Sequence, residues 1–397
     1  MNRQYSKFLI PGIIVVGMVL RLPFTSIPPI ISDIAKSQHV SVEQLGILTT
    51  VPLIAFAVFS SIVPKIAEKL GLERAFALML LLMTIGSLMR IVNTPFLYFG
   101  TLLIGIGIAH MNVLLPSVVR TYFPSRIGPV TSIFVFSMGL ATAVGSSLAA
   151  SITHATNWHV FVIILTLLLG LALLVWLPNV VFSNKNKAKR ATLKSSTLPL
   201  TSTRVWQNKY AWMLLFFSGM QSAMFYVIMA WGPTMAIQSG LSATVAGLFV
   251  GINALIGLPF ALIVPTIIAH FNSRQRQIFV ASFSTIGIIG YVLLLVPQDT
   301  FGYWLTINLF IGVSTASLFP YVMATFGLKT STPSQTAQLS GMAQSGGYLI
   351  AACGPALFGY GFIWFNSWKP QIIVITVLFI IMTIVIILVE KQDKILK

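Results

Sequence analysis

Along almost all of its 397 residues the chain alternates long apolar stretches with short polar breaks. A helix rises 1.5 Å per residue, so roughly 20 apolar residues cover the ~30 Å hydrocarbon layer of a membrane. Twelve stretches reach that length. The first six run over residues 8–31, 42–64, 74–93, 96–119, 128–153 and 158–178, the second six over 210–237, 243–269, 278–296, 302–327, 336–364 and 370–389. The pattern predicts an all-α polytopic membrane protein with twelve transmembrane helices. Residues 8–31 are too many for a signal-peptide core and lack a small-x-small cleavage site, so this stretch is expected to be retained as a helix.

Composition agrees, with 56% hydrophobic and 8% charged residues and a mean hydropathy of +0.92. A net charge of +17 would suit nucleic acid if it formed a patch, but its placement points elsewhere. Twenty of the 24 Lys and Arg residues fall at the amino terminus, after the second, fourth, sixth, eighth and tenth spans, and in the carboxyl tail. The other side holds only Lys36, Arg90 and Lys369, and Arg21 lies inside the first span. By the positive-inside rule both termini and the central segment are cytoplasmic, in the cell (inner) membrane. The partner of this charge is membrane lipid and solvent rather than nucleic acid. Residues 179–209 carry Lys185, Lys187, Lys189, Arg190, Lys194, Arg204 and Lys209 without an acid and read as a basic linker. It joins an amino-terminal half, 1–178, to a carboxyl-terminal half, 210–397.

The halves share landmarks. Gly46 and Pro64 recur as Gly247 and Pro265, shifted by 201, while Pro116, Pro129 and Met138 recur as Pro320, Pro333 and Met342, shifted by 204. Five matches in order predict two pseudo-symmetric six-helix halves in parallel repeat, the arrangement of major facilitator transporters. Such proteins commonly carry Gly-x-x-x-Asp-x-x-Gly with flanking bases between spans 2 and 3. Here the segment reads Pro64-Lys-Ile-Ala-Glu68-Lys-Leu-Gly71-Leu-Glu73-Arg74. Glu68, Gly71 and Arg74 keep the acid, turn and base, Pro64 replaces the leading glycine, and the expected role is a cytoplasmic gate.

Arg21 stands about 20 Å along the first span, too deep for comfortable snorkelling. A charge there costs at least ~2.5 kcal/mol, so it faces a partner or a substrate path. The seven acids, Asp33, Glu43, Glu68, Glu73, Asp299, Glu390 and Asp393, fall in loops or at span ends. The reading therefore favours a substrate-facing Arg21 over a structural ion pair. Arg90, near the outer end of span 3, is expected to snorkel or to line an outer vestibule. His110 and Asn112 lie inside span 4; His110 is either a packing histidine or a titrating group in proton coupling, for which Asp33 is the other candidate. Gln221, Ser222 and Tyr226 lie in span 7 and serve either substrate or neighbouring helices. The lone Cys353 gives neither a disulfide nor metal-ligand spacing, and there is no paired carboxylate set or activated nucleophile. No metal, cofactor or enzymatic activity is expected.

The segments Arg21-Leu-Pro-Phe-Thr-Ser-Ile-Pro-Pro, Gly86-Ser-Leu-Met-Arg90, Gly105-Ile-Gly-Ile-Ala-His-Met-Asn-Val-Leu-Leu-Pro116, Gly219-Met-Gln-Ser-Ala-Met-Phe-Tyr-Val-Ile-Met-Ala-Trp231-Gly-Pro233 and Met342-Ala-Gln344-Ser-Gly-Gly-Tyr together resemble the cyanate and 2-nitroimidazole transporter family of major facilitators. The resemblance implies secondary transport of a small anionic or polar solute by a functional monomer, with Arg21, Asn112 and Gln344 as site residues. Val19 and His110 depart from the family pattern beside that site. The alternative is an exporter of neutral or aromatic compounds, in keeping with 28 Phe and 8 Trp.

Overall fold

The computed structural model describes residues 5–45, 47–191, 205–296 and 298–396; Gly46 and residues 192–204 of the predicted linker lie outside them. Apart from two single 3-10 turns and one isolated bridge, the regular elements among these residues are α-helices. In chain order they are α1 (Leu9–Val19), α2 (Leu22–Thr25), α3 (Ile31–Gln38), α4 (Val42–Leu45), α5 (Ile47–Phe59), α6 (Val63–Leu70), α7 (Leu72–Met89) and α8 (Thr94–Tyr122). There follow α9 (Ile127–Ala155), α10 (Trp158–Ala191), α11 (Lys209–Gln238), α12 (Ala243–His270), α13 (Ser273–Leu293), α14 (Phe301–Leu328), α15 (Pro333–Phe365) and α16 (Lys369–Glu390). Among the described residues eleven helices are long and apolar enough to cross a membrane, twelve if the pair Thr50–Phe59 and Val63–Leu70, bent by 65°, is one span.

Three predicted spans differ in detail. The first, expected as one helix over 8–31, is broken into α1, α2 and α3. Pro23 has no N–H to give to the preceding turn, and its ring disfavours helical geometry at Leu22. Arg21 therefore sits at the break, with φ −124° and ψ −31°, rather than in mid-helix. The second span bends ahead of Pro64 and continues to Leu70, where Gly71 stops it at φ 86°, a conformation that favours glycine. The sixth runs on through Pro178 to Ala191, so the first part of the predicted linker is helical.

The helices form two compact units that do not coincide with the sequence halves. The first comprises Met1–Ser125, Leu140–Val205 and Thr332–Gly341; the second comprises Arg126–Gly139, Trp206–Ser331 and Met342–Lys397. α9 and α15 are thus each divided between units. Within the first unit α8 is buried over most of its length and packs against α5 and α7. α7 and α8 cross at Gly86 and Gly100, where a methyl group on Gly86 would come within 2.8 Å of the Gly100 carbonyl oxygen. Within the second unit α14 takes the central place, against α12 and α13. Both central helices carry buried polar side chains, which makes them the natural frames for a site.

At one end of the second unit a charge pair is fully buried. Lys329 Nζ lies 2.6 Å from Glu390 Oε2, and the Tyr321 hydroxyl donates to Glu390 Oε1. Lys329 also donates to the Gln392 carbonyl at 2.6 Å, and Ile395 N–H returns to the Lys329 carbonyl at 2.8 Å. Asn208, the N-cap of α11, donates to the Ile395 carbonyl at 2.8 Å, so the carboxyl tail is tied across the helix ends. Burial pushes the Lys329 ammonium below the usual lysine range, and the Glu390 carboxylate pulls it back up. Removing one partner of such a pair leaves an uncompensated buried charge. Lys329→Met is expected to cost about 3–5 kcal/mol, read as a fall in thermal unfolding temperature in detergent. Lys329→Met with Glu390→Leu should recover most of that loss; equal destabilisation by single and double variants would contradict the assignment.

Candidate functional site

Backbone that leaves helical geometry within a membrane span needs partners from the protein or from a solvated cavity, and the break in the first span is supplied with protein donors. The carbonyl of Arg21 accepts from Phe24 N–H at 3.0 Å, Thr25 N–H at 2.9 Å and the Thr25 hydroxyl at 3.1 Å. Ser26 Oγ donates to the Leu22 carbonyl at 2.5 Å, and Ser146 Oγ of α9 donates to the Thr25 carbonyl at 3.1 Å. Arg90 completes the set, with Nη1 donating to the Pro23 carbonyl at 2.7 Å and Nε to Thr101 Oγ1 at 3.0 Å. Arg90 does not snorkel, as one expectation had it: it is 1% exposed and its guanidinium is engaged inside the unit. The α7–α8 crossing at Gly86 and Gly100 lets its stem fold over the neighbouring helix instead of rising to the interface. The segment Gly86-Ser-Leu-Met-Arg90 with Gly100 holds that signal.

His110 and Asn112 are both buried in α8. Nδ1 of His110 lies 2.8 Å from the Ile106 carbonyl oxygen, which can only accept, so Nδ1 carries the hydrogen and Nε2 of the neutral ring is an acceptor. Nε2 is buried and has no hydrogen-bond partner among the described residues. Asp33, in α3, lies 3.8 Å from His154 Nε2 at the end of α9.

In the second unit the structure brings Gln221 and Gln344 together. They line one shallow, closely packed concavity with Ser218, Ser222, Phe319, Met323, Gly347 and Tyr348. Gln221 Nε2 donates to the Ser218 carbonyl at 3.1 Å and to Ser222 Oγ at 2.6 Å, which holds its amide in place. Tyr226, five residues on, does not line this space; its ring packs edge-on against Phe225. Ser218 and Tyr348 were not singled out from sequence, although both lie within a turn or so of the two glutamines. An amide pair between α12 and α14 was also missed: Asn253 Nδ2 donates to Asn308 Oδ1 at 2.8 Å beside a second small concavity.

The segment expected to act as a gate is arranged differently from the expectation. Glu68 is exposed on α6, and Arg74 donates to Asn184 Oδ1 of α10, through Nη2 at 2.8 Å and Nε at 3.1 Å. The engaged acid is Glu73, whose carboxylate accepts from the Tyr122 hydroxyl and from Ser183 Oγ at 2.9 Å, while Trp176 Nε1 donates to its carbonyl at 2.9 Å. These contacts fasten α7 to α8 and α10 inside the first unit.

A family model described as Major Facilitator Superfamily matches residues 13–355. The chain is 33% identical over 379 residues to a 2-nitroimidazole transporter of Escherichia coli (strain K12), covering 95% of this chain and 93% of the relative. It is 24% identical over 361 residues to the cyanate transport protein CynX of the same organism, covering 87% and 88%. Among solved structures it is similar to a variant of the E. coli fucose:proton symporter FucP, with a TM-score of 0.70 at 11% identity over 96% of this chain and 98% of that one. At that identity the likeness shows the fold. For the gate segment, Glu73→Gln is expected to cost about 1.5–3 kcal/mol, the range for hydrogen bonds to a charged group. Glu68→Gln should stay within about 0.5 kcal/mol, as for an exposed position. Thermal unfolding of the two variants checks the contrast, and equal shifts would contradict it.

Proposed function

The chain belongs to the major facilitator superfamily, in its cyanate and 2-nitroimidazole transporter family, and from that premise we propose that it moves a small anionic or strongly dipolar solute by alternating access, with Arg21 as the principal recognition group. It is a multi-pass membrane transporter and not an enzyme. The observation that carries the finer reading is the backbone at Arg21, which leaves helical geometry between α1 and α2. Broken helices at mid-membrane are where transporters of this kind build solute sites.

The relatives' printed substrates fit this chemistry. Cyanate is a small linear anion, and 2-nitroimidazole is a planar ring with a strongly polar nitro group; both offer acceptor atoms to a planar, five-donor guanidinium. The concavity with Gln221 and Gln344 supplies amides that donate and accept, which suits a solute with both kinds of group. Asn112 is the further amide of the first unit in this reading. His110, with a buried acceptor nitrogen, and Asp33, beside His154, are the groups proposed for proton coupling. The basic excess supports an orientation with both termini in the cytoplasm.

Arg21→Ala should abolish uptake of labelled cyanate or 2-nitroimidazole into proteoliposomes while leaving membrane insertion and unfolding temperature near those of the parent. Arg21→Lys keeps the charge but not the fork, so partial transport would show that charge is enough and full loss that bidentate geometry is required. Near-normal flux in Arg21→Ala would sink the proposal.

A further inference from the structure

We propose that Arg90 is the positioning residue of this site: its guanidinium holds the break in the first span in the conformation that presents Arg21. The inference rests on the reading of Arg21 as the substrate-facing cation and adds a residue that acts through it.

Three observations carry it. In a continuous helix the Pro23 carbonyl would accept from Ile27 N–H, but that N–H reaches the Phe24 carbonyl instead, at 3.5 Å. The Pro23 carbonyl, two residues from Arg21, is thereby left to Arg90 Nη1 at 2.7 Å. Next, the contact is built on purpose-shaped packing. The Arg90 stem runs over Gly100, where a methyl group would lie 3.2 Å from Arg90 Cγ. Thr101 Oγ1 donates to the Leu97 carbonyl at 2.8 Å, which orients the oxygen that receives Arg90 Nε. Finally, among the described residues no carboxylate lies within 4 Å of the Arg90 guanidinium. Burying a cation against neutral acceptors is costly, and a position at the end of α7 offered an easy route to the interface. The return for that cost is geometric: a charged donor fixes the carbonyl that has lost its backbone partner, whereas the Arg21 and Leu22 carbonyls keep theirs in Thr25 and Ser26 N–H.

The test is a double-mutant cycle on purified protein in detergent, with potassium cyanate and 2-nitroimidazole as calorimetric probes. Arg90→Gln is expected to weaken binding about tenfold or more, the equivalent of losing a charge-assisted hydrogen bond. Arg90→Lys should rescue it only in part, since one ammonium cannot meet both acceptors in fork geometry. In the Arg21→Ala background Arg90→Gln should add no further loss; full additivity would overturn the inference. If Arg21→Ala itself leaves affinity unchanged, the reading of Arg21 fails; if Arg21→Ala loses binding and Arg90→Gln does not, only the present inference fails. A ligand-independent arm uses Phe24→Cys in a Cys353→Ser background, with Thr101→Ala as a milder variant where Arg90→Gln does not fold. Maleimide labelling at position 24 should change severalfold when either contact of Arg90 is removed, and an unchanged rate overturns the proposal.

Discussion

Lipid offers no hydrogen bonds, so a transmembrane chain can leave helical geometry only where protein groups satisfy the freed backbone. The break at Arg21 is the place where this constraint is met most visibly. Thr25, Ser26, Ser146 and Arg90 each supply a donor to one carbonyl of the segment 21–25. Pro23 interrupts the helix next to Arg21, and these four groups brace the backbone around the interruption. The glycine contact between α7 and α8 matters for the same reason, because it brings the Arg90 stem to the break.

Much of the fold could be read from hydropathy, since bilayer thickness leaves little freedom in span length. The departures share a cause: proline and glycine were read as landmarks when they also set local geometry. Pro23 breaks a span that composition alone makes continuous, while Pro178 is passed without a break and α10 continues to Ala191. A proline's effect depends on whether neighbouring groups take over its lost partner, and that is a property of tertiary structure. Burial of Arg90 was illegible for a related reason, since depth along a helix fixes where a side chain starts and packing decides where it goes.

The site shows the same division. Gln221 and Gln344 lie more than a hundred residues apart, and their motifs marked both as polar positions within apolar spans; the structure sets them in one concavity. Tyr226, chosen on spacing, does not line it. The acids follow a similar course. Sequence put Glu73 and Glu390 at helix ends, yet both are buried, each accepting from a tyrosine hydroxyl of its unit's central helix. Charge position along the chain was silent about engagement.

The buried Lys329–Glu390 pair also has a temporal side. α14 leaves the ribosome before α16, and Lys329 precedes Glu390 by 61 residues. At an elongation rate of about 5–20 residues per second, that separation is a delay of several seconds. During it the ammonium at the end of α14 has neither its carboxylate nor the Gln392 carbonyl, and the Tyr321 hydroxyl lacks its acceptor. Until then solvent or lipid headgroups must serve as their partners. The second unit therefore completes this part of its interior by exchanging temporary partners for permanent ones, and α16 acts as the clasp that ends its assembly.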